Sequence, residues 1–265
     1  MTAITGFYRF LSIDVWGGLP APLQRLISRA YTSIYNAPWS KWIIEPYCNH
    51  HYDDPGYLSH FKPASGEETY KSFQDFFSRR FAEPLQIETQ MAWPAEGLLC
   101  EYGRVGDLDL VSVKGEERHL RTIFGNTDQT IPDDYYFSNI FLHNNNYHRI
   151  HAPVSGTVKR IERISGDLVL LRPWVYKKDP SLPALRNERL NIDLEDDQGN
   201  IWYLSIVGGP AVGTIELTTG LKVESEVIIG EEISLFLLGS TCCIASPIPV
   251  SSSVVGDQVI VGQPF

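Results

Sequence analysis

The chain is poor in several things. Among 265 residues there are only two methionines and four cysteines, and 22 basic residues stand against 32 acidic ones. The cysteines, Cys48, Cys100, Cys242 and Cys243, fit neither a zinc-site spacing nor a secreted disulfide framework. They read as small apolar packing residues in a reducing compartment, and on a strand the adjacent Cys242 and Cys243 point to opposite faces. A net charge of −10 excludes a general nucleic-acid binder, which needs a basic face for phosphates. A basic, apolar leader is also missing, because Met1 to Gly6 carries no positive side chain, so no signal peptide is expected. No long unbroken apolar run exists either. Residues 233–256 lack charge, but Gly239, Pro247, Pro249 and Ser251 to Ser253 interrupt them, and β-branched content suits buried strands. No transmembrane helix is expected, and the chain reads as cytoplasmic, with peripheral membrane attachment open.

What is present is an ordinary globular composition, 43% hydrophobic and 20% charged, enough for one large core with a helical appendage. Residues 1–50 read as helical. Leu23, Leu26, Ile27, Ala30, Tyr31 and Ile34 recur at three- and four-residue steps with Arg25 and Arg29 opposite. An aromatic cluster, Phe7 to Trp16, precedes them. Such helices either pack on a core or lie on a bilayer with apolar face down and basic flank up, and both roles are compatible. A polar stretch, 49–68, reads as a connection, and its His50, His51 and His60 as loop residues rather than metal ligands.

From about residue 92 short strands alternate with turns: Leu108–Val113, Tyr136–Leu142, Gly156–Ile164, Asp167–Leu171, Leu190–Leu194, Ile201–Val207, Val212–Leu217 and Ile233–Leu238. The expected class is α+β: N-terminal amphipathic helices (1–62), then a mainly antiparallel β barrel or sandwich (63–265).

The chemistry concentrates in three places. Leu238-Gly239-Ser240-Thr241 offers a hydroxyl nucleophile after a glycine, Tyr147-His148-Arg149-Ile150-His151 two histidines, and Pro94-Ala95-Glu96-Gly97 a carboxylate. A nucleophile, a base and a carboxylate form a self-activating set. In this order they resemble the phosphatidylserine decarboxylase family, whose members make a pyruvoyl cofactor from their own serine. Further runs resemble the family's: Tyr70 to Phe77 with Arg79-Arg80, Val113-Lys114-Gly115, Gly166-Asp167-Leu168, Asn187-Glu188-Arg189, Gly208 to Gly213, and Gly262-Gln263-Pro264.

The resemblance implies cleavage between Gly239 and Ser240. The Ser240 hydroxyl attacks the Gly239 carbonyl, the resulting ester eliminates, and hydrolysis leaves a pyruvoyl group on a fragment of residues 240–265. It implies His151 as the activator of Ser240, Glu96 as the partner of His151, and His148 as the proton carrier in decarboxylation. The pyruvoyl group serves as electron sink, as pyridoxal phosphate does elsewhere. No metal is implied. The expected reaction converts phosphatidylserine to phosphatidylethanolamine and CO2 at a membrane surface, by a protein that admits a homodimer of processed two-chain units.

Three departures from the family pattern stand out. Glutamate replaces the usual aspartate at Glu96. His143-Asn144-Asn145-Asn146-Tyr147 stands where Ser-Pro-x-Asp-Tyr is usual, and the stretch between Glu216 and Glu231 is short. They leave open a soluble amino acid as substrate, or a relative that no longer processes itself and only binds a ligand.

Overall fold

The computed structural model describes every residue except 1–2, 17, 55, 126–130, 177, 210–213, 238 and 252. Leu238 of the cleavage motif, Pro210 to Gly213, and the first two residues of the expected strand Val212–Leu217 lie outside the described residues, as do the side chains of Arg25 and Tyr31.

Among the described residues three α-helices lead the chain: α1 (Ala3–Phe10), α2 (Ala21–Asn36) and α3 (Ile44–His51). The short strands β1 (Phe61–Lys62) and β2 (Arg80–Phe81) pair with each other and flank α4 (Phe73–Phe77). Ser72 caps α4 by accepting the Asp75 N–H at 3.2 Å. Next come β3 (Gly97–Arg104), β4 (Val111–Val113), β5 (Glu116–Arg118), β6 (Tyr136–Leu142), β7 (Arg149–His151) and β8 (Gly156–Ile164). After α5 (Leu182–Arg186) follow β9 (Arg189–Asp196), β10 (Ile201–Gly208), β11 (Ile215–Leu217), β12 (Glu226–Val227), β13 (Glu232–Phe236), β14 (Ser240–Ser246) and β15 (Gln258–Val259).

The class is α+β, and the main sheet is antiparallel with order β12-β8-β9-β10-β14-β6-β3-β15. It is not the closed barrel the sequence admitted. Its two edges are the two-residue strands β12 and β15, too short to pair around a ring. A smaller sheet, β11-β13-β7, packs on one face, so this half is sandwich-like.

Strict alternation builds both cores. On β14, Cys242 and Ile244 enter the cluster under the small sheet, while Cys243 and Ala245 enter the opposite one. On β10, Trp202, Leu204 and Ile206 face the first and Tyr203 and Val207 the second. The expected strand Asp167–Leu171 does not form and makes only an isolated bridge, Asp167 to Asn187. The side chain of buried Asn187 replaces a ladder there, accepting the Val169 N–H at 2.9 Å and donating to Val169 O at 2.8 Å.

The N-terminal segment is laced to the sheets. Ser12 Oγ bonds the Tyr176 hydroxyl at 2.9 Å, Trp16 Nε1 donates to Leu168 O at 2.7 Å, and the Tyr52 hydroxyl donates to Asn145 O at 2.6 Å. Tyr35, Ile44 and Tyr47 pack with Phe73, Phe76 and Phe77 of α4 in a third cluster. Helix α2, however, is turned inside out. Gln24 and Ser28 are buried, whereas Leu23, Leu26, Ile27 and Ile34 are 40–65% exposed.

Candidate active site

Ser240 opens β14, opposite Gly208 of β10 and Leu142 of β6, in the middle of the main sheet. It is completely buried, and its Oγ has no hydrogen-bond partner among the described residues. A buried hydroxyl without a partner costs about 1–3 kcal/mol, a cost that Ser138 and Ser205 of the same sheet also bear. Gly239 before it has φ +54°, in the left-handed region that glycine enters without penalty.

The approach to this bond is held from α4. Gln74 Nε2 donates to Leu237 O at 2.6 Å, and Ser78 Oγ donates to Phe236 O at 3.4 Å. From the other side, Asn187 Nδ2 donates to Gly208 O at 2.9 Å, fixing the strand end beside Ser240. The adjoining Gly209 passes so close that a Cβ there would lie 3.0 Å from Gly239 Cα and 3.1 Å from its carbonyl oxygen. These are backbone atoms and cannot swing aside. Gly209→Ala is therefore expected to displace the Gly239–Ser240 bond and slow chain cleavage by about tenfold or more, as tight-site misplacements do. The ratio of cut to uncut chain on a denaturing gel over time measures it, and an unchanged rate contradicts the role given to this contact.

Ser240 and Gly239 line a chamber of about 340 Å3. Its walls are Tyr35, Tyr47, Phe73, Phe77, Phe141 and Leu171, and Arg172 and Asn144 supply charge and polarity. Sequence reasoning gave this aromatic wall no role. The i, i+3, i+4 spacing of Phe73, Phe76 and Phe77 was its available signal.

The two histidines are separated by the register of β13 on β7. His148 O accepts the Phe236 N–H at 2.9 Å, near the Ser240 end of β13, whereas His151 faces Glu232 at its other end. His148 is fully buried, and its ring lies 3.8 Å, centroid to centroid, from the ring of Phe77 in the chamber wall. Its Nδ1 bonds Asn146 O at 2.8 Å, and its Nε2 is buried with no partner among the described residues. Burial, and then the nearby Arg79 cation, push its pKa down to about 3. His148 is thus a neutral imidazole at ordinary pH with one free nitrogen.

His151 has none free. Its Nδ1 donates to Gly230 O at 2.7 Å, and Nε2 accepts from the Tyr147 hydroxyl at 3.0 Å. Burial lowers its pKa. It lines a different cavity, with Phe81, Tyr147 and Gly230. Among the described residues no hydrogen bond joins Glu96 to it: Glu96 Oε1 accepts from Asn146 Nδ2 at 2.7 Å. The constellation Ser240–His151–Glu96 is therefore not assembled in this conformation. Glu96 is tied to the loop before His148, and His151 is oriented by a backbone carbonyl that no sequence motif marks.

A family model described as phosphatidylserine decarboxylase matches residues 73–265, from the start of α4 to the last residue. The chain belongs to this family. Among its relatives named phosphatidylserine decarboxylase proenzyme, the one from Methylobacillus flagellatus is 29% identical over 200 residues, covering 68% of this chain and 70% of the relative. That from Shewanella amazonensis is 31% identical over 202 residues, 67% of this chain and 70% of the relative. That from Pseudoalteromonas translucida is 30% identical over 201 residues, 66% and 69%. The aromatic residues Phe73 and Phe77, Ser240 and both histidines all fall inside the matched region of this family member.

Proposed function

We propose that this decarboxylase cuts itself between Gly239 and Ser240 and then converts phosphatidylserine to phosphatidylethanolamine and CO2. The observation that carries the reading is the unpartnered, buried Ser240 hydroxyl behind a glycine at positive φ, on the floor of an apolar chamber. In the cleavage half, Oγ attacks the Gly239 carbonyl carbon and the amide nitrogen leaves, giving an ester. Loss of the Gly239 carboxylate by elimination and hydrolysis with release of ammonia complete the change. His151 is the proposed base of this half, in keeping with the resemblance, and must first be released by Tyr147 and Gly230.

A pyruvoyl group on residue 240 fits this chamber, because the position is buried and its side chain has no competing partner. Such a group supplies an electron-withdrawing carbonyl that takes up the electrons left when CO2 departs. The chain's own residues do the rest. Phe73, Phe77 and Phe141 exclude water, and His148 accepts a proton in transit on its Nε2 lone pair and passes it on.

The lipid substrate is supported by the N-terminal segment. Phe7, Phe10, Leu26, Ile34, Trp39 and Trp42 are 48–76% exposed, and Tyr35 and Ile43 of the same segment line the chamber. An apolar surface continuous with the chamber wall suits a bilayer-bound headgroup, with Arg29 and Lys41 exposed beside it. No helix among the described residues is long and apolar enough to cross a membrane, so the proposed attachment is peripheral.

The test combines vesicle flotation with CO2 release. Phosphatidylserine vesicles should carry the protein upward and be decarboxylated, while free serine should not react. Replacing Trp39→Ser together with Trp42→Ser should weaken vesicle binding by about tenfold or more, given roughly 1.5–3 kcal/mol for each large apolar side chain. Turnover of free serine without vesicle turnover would overturn the lipid assignment in favour of a soluble amino acid.

A further inference from the structure

We propose that Asn146 is the positioning residue of His148, holding its ring as the Nδ1–H tautomer through a link that runs back to Glu96. The proposal rests on the decarboxylase reading for its kinetic consequence but not for its geometry. Every polar group of Asn146 is engaged. Its N–H donates to His143 O at 2.9 Å, and its Oδ1 accepts the His143 N–H at 2.8 Å. Its Nδ2 donates to Glu96 Oε1 at 2.7 Å, and its carbonyl accepts from Arg79 Nη2 at 3.2 Å and from His148 Nδ1 at 2.8 Å.

A carbonyl oxygen only accepts, so the proton of a neutral His148 must sit on Nδ1 and the lone pair on Nε2. That nitrogen is the buried, unpartnered one. The side chain of Asn146 sets where its own carbonyl points, and Glu96 anchors that side chain. Arg79 adds the second constraint. It is fully buried and makes no ion pair among the described residues, and it donates instead to the carbonyls of Asn145 and Asn146 and, at 2.7 Å, to the Tyr57 hydroxyl. A cation on the carbonyl that His148 also uses disfavours a second positive charge on the ring, which agrees with its depressed pKa.

The charge pattern gives a discriminating cycle. E96Q keeps an oxygen that accepts from Asn146, and it serves as the reference for the double variant. N146D places two carboxylates face to face, and kcat should fall about tenfold or more with KM little changed. The double variant N146D/E96Q restores the hydrogen bond with donor and acceptor exchanged, and kcat should return to within about threefold of E96Q, a strongly non-additive result. Rates are taken per processed chain, counted by intact mass.

A second readout needs neither cofactor nor substrate. In the uncut Ser240→Ala chain, side-chain 1H–15N correlation should show His148 as the Nδ1–H tautomer between roughly pH 5 and 8. Adding N146A should leave it exchanging between tautomers. An Nε2–H tautomer, a charged ring near pH 6, an additive cycle, or N146D at the parental kcat would each overturn the proposal. Tautomer signals as expected in a protein inactive on phosphatidylserine would instead uphold the positioning and reject the substrate.

Discussion

Ser240→Ala should give a single uncut chain with no decarboxylase activity, at any enzyme concentration and after any incubation. Without Oγ there is nothing to attack the Gly239 carbonyl, and without the cut no cofactor forms. Loss of fold is not the expected cause. The wild-type hydroxyl is fully buried and has no partner among the described residues, so replacing it by hydrogen removes a desolvation cost of about 1–3 kcal/mol rather than a bond. The melting temperature of the variant should therefore equal or exceed that of uncut parent chain. A variant that still cleaves at the same bond would deny Ser240 its role.

The two histidines should part company when removed singly. His148→Ala should cut normally but decarboxylate about 10²–10⁴-fold more slowly, the usual contribution of a positioned proton carrier. The proposed role rests on an Nε2 with no partner among the described residues and on the tilted contact of the ring with Phe77 of the chamber wall. His151→Ala should remain uncut. A cut ratio read on a denaturing gel and CO2 release per cut chain separate the two. Normal cutting by His151→Ala together with an uncut His148→Ala would transfer both steps to His148, the residue whose backbone lies at the Ser240 end of β13.

The sheets were legible in part: β3 (Gly97–Arg104) and the fully buried β14 (Ser240–Ser246) were not among the expected strands, whereas others were. Tyr136–Leu142 and Gly156–Ile164 are strands over the residues their pattern marks. Asp167–Leu171 looked the same but owes its order to the Asn187 side chain, a long-range partner that periodicity does not reveal. Helix α2 was legible as amphipathic, yet an apolar stripe does not say which way it faces, and here it faces outward.

The sequence marks residue types for the candidate site, and it does not mark the hydrogen bonds that the structure gives them. Ser240, His148, His151 and Glu96 are each ordered, but Glu96 bonds Asn146 and His151 bonds Gly230 and Tyr147. Those partners depend on the β13–β7 register and on a backbone carbonyl. Arg79-Arg80 illustrates the same limit. Two adjacent arginines suggest a solvated pair, whereas Arg80 is exposed and Arg79 is enclosed by Tyr57, Phe61 and Phe76. The dense aromatic spacing around them was the signal that one cation would be caged.

Intact mass spectrometry of the purified protein tests the central claim most directly. The account predicts two chains, one ending at Gly239 and one spanning residues 240–265 whose first residue is a pyruvoyl group, lighter than a serine and without a free amine. A small chain that begins with an unmodified serine would show ordinary proteolysis. That result, or one intact chain after prolonged incubation, would contradict a self-made cofactor in this chamber.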